Sequence, residues 1–197
     1  MQRILVRDFR LDLTLESGQF FRYYAVNGWY YVHVRNCVLK IKQVDDFLYF
    51  EGKHRNGKEL GKSFLVKLFR LDEDYKNILN SILVDENMKK AVNECKGLRL
   101  MRQDPFECLV SFICSSASNI PKIQKNLHLL SQKYGEPLAL GNHIGYTFPE
   151  PGSIKSENGV RETGVGYRAP YLYVVSNYIN DNDLELIRYK SYEGAKK

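Results

Sequence analysis

Hydrophobic and polar positions along the chain follow two different periods. Phe20 to Val26 and Trp29 to Val34 are aromatic and β-branched runs separated by Asn27-Gly28 alone, which predicts a hairpin closed by a two-residue turn. Cys37 to Lys42 alternates apolar and polar residues after an Arg35-Asn36 turn, and Phe47 to Glu51 follows a turn at Val44-Asp45-Asp46, so the meander continues for two more strands. Further turns are expected near Asn56-Gly57 and Gly61. From Asp72 onward the period lengthens to about 3.6. Asp72 is expected to cap a helix that presents Tyr75, Ile78, Leu79, Ile82 and Leu83 along one face, and Asp85 to cap another that ends near Gly97.

The next helix has the clearest start. Asp104 at the N-cap, Pro105 at the first helical position and Glu107 three residues after the cap form a capping-box-like entry, followed by Phe106, Leu109, Val110 and Ile113 on one face. After the polar break Ser115 to Asn119, Pro121 opens a helix with Ile123, Leu127 and Leu130 inward, Lys122 and Lys125 outward, and Gly135 at its close. A loop is expected from Gly141 to Pro151, a short helix from Ile154 to Glu162 and a turn at Gly164-Val165-Gly166. A helix carrying Tyr171, Val174, Val175 and Tyr178 follows, then a last helical segment from Asp183, with Ser191 as the cap of one more. Sheet first and helices second predict an α+β fold: an N-terminal antiparallel sheet domain with trailing helices over 1–95, then a helical domain over 96–197.

Composition narrows the class without localising a site. The 197 residues carry 29 Lys and Arg against 23 Asp and Glu, a net charge of +6, which suits a phosphate-binding protein as well as many others. The excess is +3 on each side of residue 95, so charge alone picks out no face. No run of about eighteen apolar residues occurs, and the N-terminus mixes Arg7, Asp8, Arg10 and Asp12 into its apolar positions, so neither a membrane span nor a signal peptide is expected. Cys37, Cys95, Cys108 and Cys114 form no C-x-x-C pair and lie far in sequence from the histidines. They read as small buried hydrophobes, with no metal site and no cofactor.

Four segments, in order, carry a family resemblance. They are Leu13 to Arg22 with its Ser-Gly-Gln, Gly97 to Ser116 with its Arg-Gln-Asp-Pro and Ser-Phe-Ile-Cys-Ser-Ser, Gly164 to Tyr171 with Gly-x-Gly-Tyr-Arg-Ala-x-Tyr, and Tyr192 to Ala195. Together they resemble the 8-oxoguanine DNA glycosylases of the helix-hairpin-helix superfamily. Taken alone, Ser17-Gly18-Gln19 reads as a turn, and Ser115 to Asn119 as helix capping. The resemblance implies more. Gly18 would offer its carbonyl to the N7 hydrogen of 8-oxoguanine, a donor that guanine lacks; Ser116, Asn119 and Lys122 would enter the duplex near the orphaned cytosine; Tyr167 and Arg168 would wedge into the stack. The family pattern usually continues with asparagines where this chain has Ala117, and its vertebrate members have arginine where this chain has Lys122.

The resemblance also implies a lysine nucleophile in an L-P-G-V-G-x-K-V-A-D hairpin after the Tyr-Glu-x-Ala segment, and an aspartate beyond it. No stretch of this sequence matches that hairpin, and neither Lys196 nor Lys197 follows a glycine hairpin, so no catalytic residue is assigned. The chain is therefore expected to be the recognition portion of a base-excision N-glycosylase and abasic-site lyase, stopping before the catalytic hairpin. Its expected partner is duplex DNA containing oxidised guanine, and it is expected to be a monomer of the cytoplasm and nucleoid, or of the nucleus in a eukaryote. A non-catalytic damaged-DNA-binding remnant and an interaction module of the same fold are the alternatives. Lysine is a point donor where arginine is a fork. Binding measured against all four opposite bases is expected to show a weaker preference for cytosine than in arginine-bearing relatives, and an equally strong preference would refute the reading of Lys122.

Overall fold

The computed structural model describes residues 1–180, 182–184 and 194. The chain falls into two compact units, one made of Met1–Val32 with Leu39–Arg102, the other of His33–Val38 with Gln103–Lys197. The change-over between these units lies between Arg102 and Gln103, and residues 33–38 belong to the later unit.

The first unit is built on a five-stranded antiparallel sheet. Its strands are β1 (Gln2–Leu5), β2 (Tyr23–Val26), β3 (Trp29–Val34), β4 (Cys37–Val44) and β5 (Phe47–His54), in the order β1-β5-β4-β3-β2. The Asn27-Gly28 turn has both residues at positive φ, 50° and 75°, as a two-residue hairpin of this hand requires. One face of the sheet is dry: Val32, Leu39, Ile41, Leu48 and Phe50 are fully buried. Helix α1 (Leu11–Glu16) contributes Leu11, Thr14 and Leu15, and α2 (Lys62–Leu68) contributes Leu65 and Leu68, to buried positions of this unit. Neither helix is legible in the sequence pattern. Leu-Asp-Leu-Thr-Leu alternates like a strand, and burial at i, i+3 and i+4 makes it a helix. The edge strand β1 is equally silent, being only 4 residues long.

Two short helices complete this unit, α3 (Tyr75–Ile82) and α4 (Glu86–Glu94). Asp74, not Asp72, caps α3 by accepting from Asn77 N–H at 3.1 Å, while Asp72 takes a bidentate bond from Arg102 at 2.8 Å. Asp85 caps α4 as its position predicts, accepting from Met88 N–H at 2.8 Å. The apolar stripe of α3 is only partly covered: Tyr75 is buried, but Ile78, Ile82 and Leu83 are exposed. Ile78, Ile82, Val92 and Leu98 border a cavity of about 540 Å³ at whose wall Arg99 stacks 3.9 Å from the Tyr75 ring centroid.

The second unit is helical. It holds α5 (Pro105–Ser115), α6 (Ile120–Tyr134), α7 (Glu157–Val160) and α8 (Ala169–Tyr178), with a hairpin of β6 (Pro137–Leu140) and β7 (His143–Tyr146) between α6 and α7. The hairpin falls partly where a loop is expected from Gly141; its strands are too short to declare a period, although Gly141-Asn142 is a legitimate two-residue turn. Phe106, Val110, Leu127, Leu130, Phe148, Val160 and Leu172 form the core, with Phe106 and Phe148 edge to face at 6.1 Å. Asp104 caps α5 through one oxygen, accepting from Glu107 N–H at 2.9 Å, and binds Arg35 Nη1 through the other at 2.9 Å. Arg35 Nη2 also reaches Glu150 at 2.8 Å, and the Arg35 N–H donates to Glu107 Oε2 at 2.8 Å.

Cys37 and Cys114 are buried as expected, but Cys95, at the C-cap of α4, and Cys108, in the first turn of α5, are exposed. No helix among the described residues is long and apolar enough to cross a membrane. Of the four motif segments, Tyr192, Glu193 and Ala195 lie outside the described residues, as do Ser191, Lys196 and Lys197.

His33 and His143 meet inside the second unit, Nε2 to Nε2, at 2.8 Å. His33 is 2% exposed, and Gly145 admits its ring, since a Cβ there would lie 1.9 Å from His33 Cε1. One of the two nitrogens must carry the proton and the other accept it, so a doubly charged pair would break the bond. Burial holds the His143 pKa below its ordinary 6.5. The folded state therefore binds fewer protons than the unfolded one, and the stability this provides is complete above the unfolded value and lost as pH falls through the folded one. Stability to urea is expected to decline as pH falls below the ordinary histidine value of about 6.5, and His143→Phe to flatten that decline. Identical pH slopes in the two proteins would exclude the pair as its source.

Candidate nucleic-acid interface

The expected site residues divide between the two units. Ser116, Asn119, Lys122, Tyr167 and Arg168 belong to the helical unit and Gly18 to the sheet unit. Gly18 follows α1 in the turn through Ser17, at φ 81°, a conformation glycine adopts without penalty. The neighbouring Gln19 fixes this turn. Its Nε2 donates to the carbonyls of Thr14 at 3.0 Å and Arg99 at 2.9 Å, and its Oε1 accepts from Met101 N–H at 2.8 Å. The Gln19 carboxamide thereby joins the first and second motif segments. Its role is absent from the sequence reading, where glutamine next to a turn signals only polarity.

Residues 116–119 connect α5 to α6. Asn119 caps α6 by accepting from Lys122 N–H at 3.0 Å, so its side-chain oxygen is already engaged in ending the loop. The Lys122 and Lys125 side chains are exposed on the first turns of α6. Ala117 stands at φ 46°, the left-handed region, which costs an alanine about 1–2 kcal/mol and an asparagine less. The family's preference for asparagine after Ser-Ser therefore has a backbone reason as well as a ligand-side one.

Opposite this loop, the backbone turns sharply at residues 161–168. The chain kinks at Gly164, whose φ of 77° and ψ of 12° are not helical, and Gly166–Arg168 then forms a tight turn. Gly166, at φ 63° and ψ −131°, occupies a region essentially closed to residues with a Cβ. Asn126 of α6, 4% exposed, donates to Thr163 O at 2.9 Å and holds the start of the turn. A polar residue between Ile123 and Leu130 on an apolar stripe was the available sequence signal for it.

The turn delivers two neighbouring side chains to opposite fates. Tyr167 is 56% exposed, with its hydroxyl 3.3 Å from both Oγ and O of Ser116. Arg168 is 3% exposed and lies 4.5 Å from the Tyr167 ring centroid. Its Nε donates to Ser116 O at 3.0 Å and its Nη1 to Val165 O at 3.1 Å; Nη2 bonds Ser116 O and, at 3.2 Å, Ala117 O. The guanidinium thus sits just past the C-terminus of α5, where the helix dipole favours a cation. Sequence reasoning directs Arg168 outward to a nucleic-acid strand; here its donors hold the 116–117 backbone, and Tyr167 alone of the pair faces solvent. Cys114, also near this buried charge, has its thiol pushed up to about 12 by burial and is a packing group. Among the described residues no group of three or more His, Cys, Asp or Glu is arranged to hold a metal.

The arrangement is a pinned polar loop beside an exposed aromatic ring, with two lysines adjacent on α6. Solved structures similar to this chain include 8-oxoguanine glycosylases. The apo 8-oxoguanine glycosylase/lyase of Clostridium acetobutylicum superposes with a TM-score of 0.87 at 28% identity, over 99% of this chain and 70% of its own. Residues 3–109 match the 8-oxoguanine DNA glycosylase N-terminal domain, and the chain belongs to that family. The N-glycosylase/DNA lyase of Saccharomyces cerevisiae is 34% identical over 115 residues, 56% of this chain and 31% of the yeast protein. A probable N-glycosylase/DNA lyase of Methanothermobacter thermautotrophicus is 26% identical over 99% of this chain and 72% of its own length. The chain thus spans under a third of the yeast relative and under three quarters of the archaeal one.

Relief of the backbone cost at Ala117 is directly measurable. Ala117→Gly is expected to raise unfolding stability by about 0.5–1 kcal/mol in urea titrations. A destabilised variant would mean that the left-handed conformation is not the native one.

Proposed function

We propose that this chain recognises damaged duplex DNA as part of a base-excision N-glycosylase/lyase, with oxidised guanine as the lesion. The observation that carries the reading is the Ser116–Tyr167–Arg168 cluster, an exposed ring hydrogen-bonded to a helix–helix loop that a buried arginine holds in place. Family membership supports the substrate class, and the C. acetobutylicum relative, 28% identical with a TM-score of 0.85, has a structure in complex with double-stranded DNA containing cytosine opposite 8-oxoguanine.

On this reading Tyr167 enters the base stack beside the extruded nucleotide. The loop it leans on is already ordered, so little conformational entropy is lost on binding. Ser116 and Asn119 border the vacated space, and Lys122 contributes a point charge towards the opposite strand. Arg168 acts as a positioning residue, fixing the carbonyls of Ser116 and Ala117 and backing the Tyr167 ring. Gly18 offers its carbonyl to N7–H of the oxidised base, a bond guanine cannot make, and one such bond in a dry pocket discriminates by about 1–3 kcal/mol. The rigid Gln19 bonds keep that carbonyl at a fixed place in its own unit. Excision and strand cleavage enter the proposal through the family and are assigned to no residue described here. Such a protein works where the DNA is, in a nucleoid or nucleus.

Fluorescence anisotropy with an abasic-analogue duplex and an intact duplex of the same sequence tests this. The chain is expected to prefer the abasic duplex by at least about tenfold, and Tyr167→Ala to lose most of that preference while keeping the salt dependence of its phosphate contacts. Equal affinity for both duplexes in the unsubstituted chain would overturn the proposal.

A further inference from the structure

The sheet has a second face, opposite to its buried one, and its composition is unusual. Pairing sets Arg3 beside Tyr49 and Leu5 beside Phe47 at one edge, and Tyr24 beside Tyr31 and Val26 beside Trp29 at the other. Between these edges run Lys40 and Lys42 of β4. Leu5 is 51%, Tyr24 41% and Val26 50% exposed, so apolar surface reaches solvent at both margins. Trp29, Tyr31, Lys40, Lys42, Tyr49 and the edge residues named above all belong to the sheet unit, none to the loop and turn that carry Tyr167; at the far end of the same face His33 and Val38 are buried and belong to the helical unit.

The cations lie on the rings. Lys40 Nζ is 4.8 Å and Lys42 Nζ 4.6 Å from the Trp29 centroid, so two ammonium groups share one indole. Lys42 is also 5.9 Å from the Tyr49 centroid, and Arg3 lies 5.1 Å from that of Phe47. Glu51 pairs with Lys40 at 3.3 Å and is outnumbered by the three cations. Faces that meet another protein core are depleted of lysine, because burying an ammonium is costly. Rings interleaved with mobile cations suit a flexible polyanion that has stackable flat groups of its own.

We propose that this outer face binds single-stranded nucleic acid. A base stacks on Trp29, and the displaced Lys40 and Lys42 ammoniums, on long flexible stems, move from the ring to the flanking phosphates. Tyr49, bridged to Trp29 through Lys42, offers the next stacking surface along the sheet. Each lysine exchanges a cation–π contact for a phosphate contact, and the Glu51 carboxylate that Lys40 leaves is 40% exposed and returns to water. A duplex hides its base faces and gains only the electrostatic part, which makes the surface selective for unpaired strands.

Trp29 is the only tryptophan in the chain, so its fluorescence reports this face alone. Titrating the full chain with oligothymidylate of about 20 nucleotides is expected to quench that emission saturably. Lys40→Glu with Lys42→Glu should weaken binding at least about tenfold and make the logarithmic salt slope shallower by about 1.4, the value for two contacts on a single strand. Tyr167→Ala should leave the quenching intact, which separates this face from the damaged-duplex interface. Circular dichroism melting should coincide for all variants, since the substituted side chains lie outside the core; Lys40→Ala with Lys42→Ala serves if it does not. Unchanged emission at saturating oligonucleotide overturns the proposal. So does quenching that follows protein concentration without DNA, which would make the face a contact between copies, or quenching that only anionic phospholipid vesicles produce.

Discussion

The Asp104 carboxylate is the constraint on which the helical unit depends. One oxygen accepts the otherwise orphaned Glu107 N–H of α5 and the other holds Arg35 at the tip of the β3–β4 turn. Arg35 passes the connection on to Glu150, while its backbone N–H reaches Glu107 and its carbonyl accepts from Phe148 N–H at 2.8 Å. The residues involved are 10–28% exposed at the Arg35–Asp104 pair, where an ion pair backed by further hydrogen bonds is favourable and a charge stripped of its partner is expensive. The start of α5 is fixed there, and with it the register of the helix that ends at Ser116.

What happens at the far end of α5 follows from that register. The carbonyls of Ser116 and Ala117, just past the end of α5, accept from Arg168, whose buried guanidinium needs acceptors as much as the loop needs donors. Satisfying both leaves Tyr167, the preceding residue on a tight turn, outside with its ring against the arginine plane. Gly166 is what permits this reversal, because its φ and ψ are closed to other residues. The cluster is thus assembled before any ligand arrives. The strained Ala117 is the one place where the backbone of the loop bears a cost of its own.

The sheet unit solves a different problem. Its inner face is packed by aliphatic and aromatic residues, whereas its outer face stacks cations over rings, so that large aromatic side chains remain in partial contact with water without forming a continuous oily patch. The same shielding leaves those rings accessible to any group able to displace an ammonium. Arg99 shows the opposite arrangement within this unit, an arginine stacked on Tyr75 and 8% exposed, with burial lowering its pKa.

Local chemistry settled a good part of this in the sequence. Asn27-Gly28 required a primed turn, Asp85, Asp104 and Asn119 were capping residues in helix-opening contexts, and the 3.6-residue spacing of Ile123, Leu127 and Leu130 chose the buried side of α6; each depends on neighbours within a few positions. The family motifs located Ser116, Tyr167 and Arg168 but not their division of labour. Whether an arginine reaches outward or is consumed by carbonyls about fifty residues away in sequence is decided by packing, and so is whether Asp72 or Asp74 caps α3. Short elements such as α1, β1 and the β6–β7 hairpin were hidden for the same reason, since four to six residues carry too little periodicity to outweigh their surroundings. The sequence by itself determined the α+β class, the family and the residues gathered around the α5–α6 loop. Only the tertiary structure decided which of them are buried donors and which stand free for a ligand, because that depends on the desolvation cost of each polar group in its folded place.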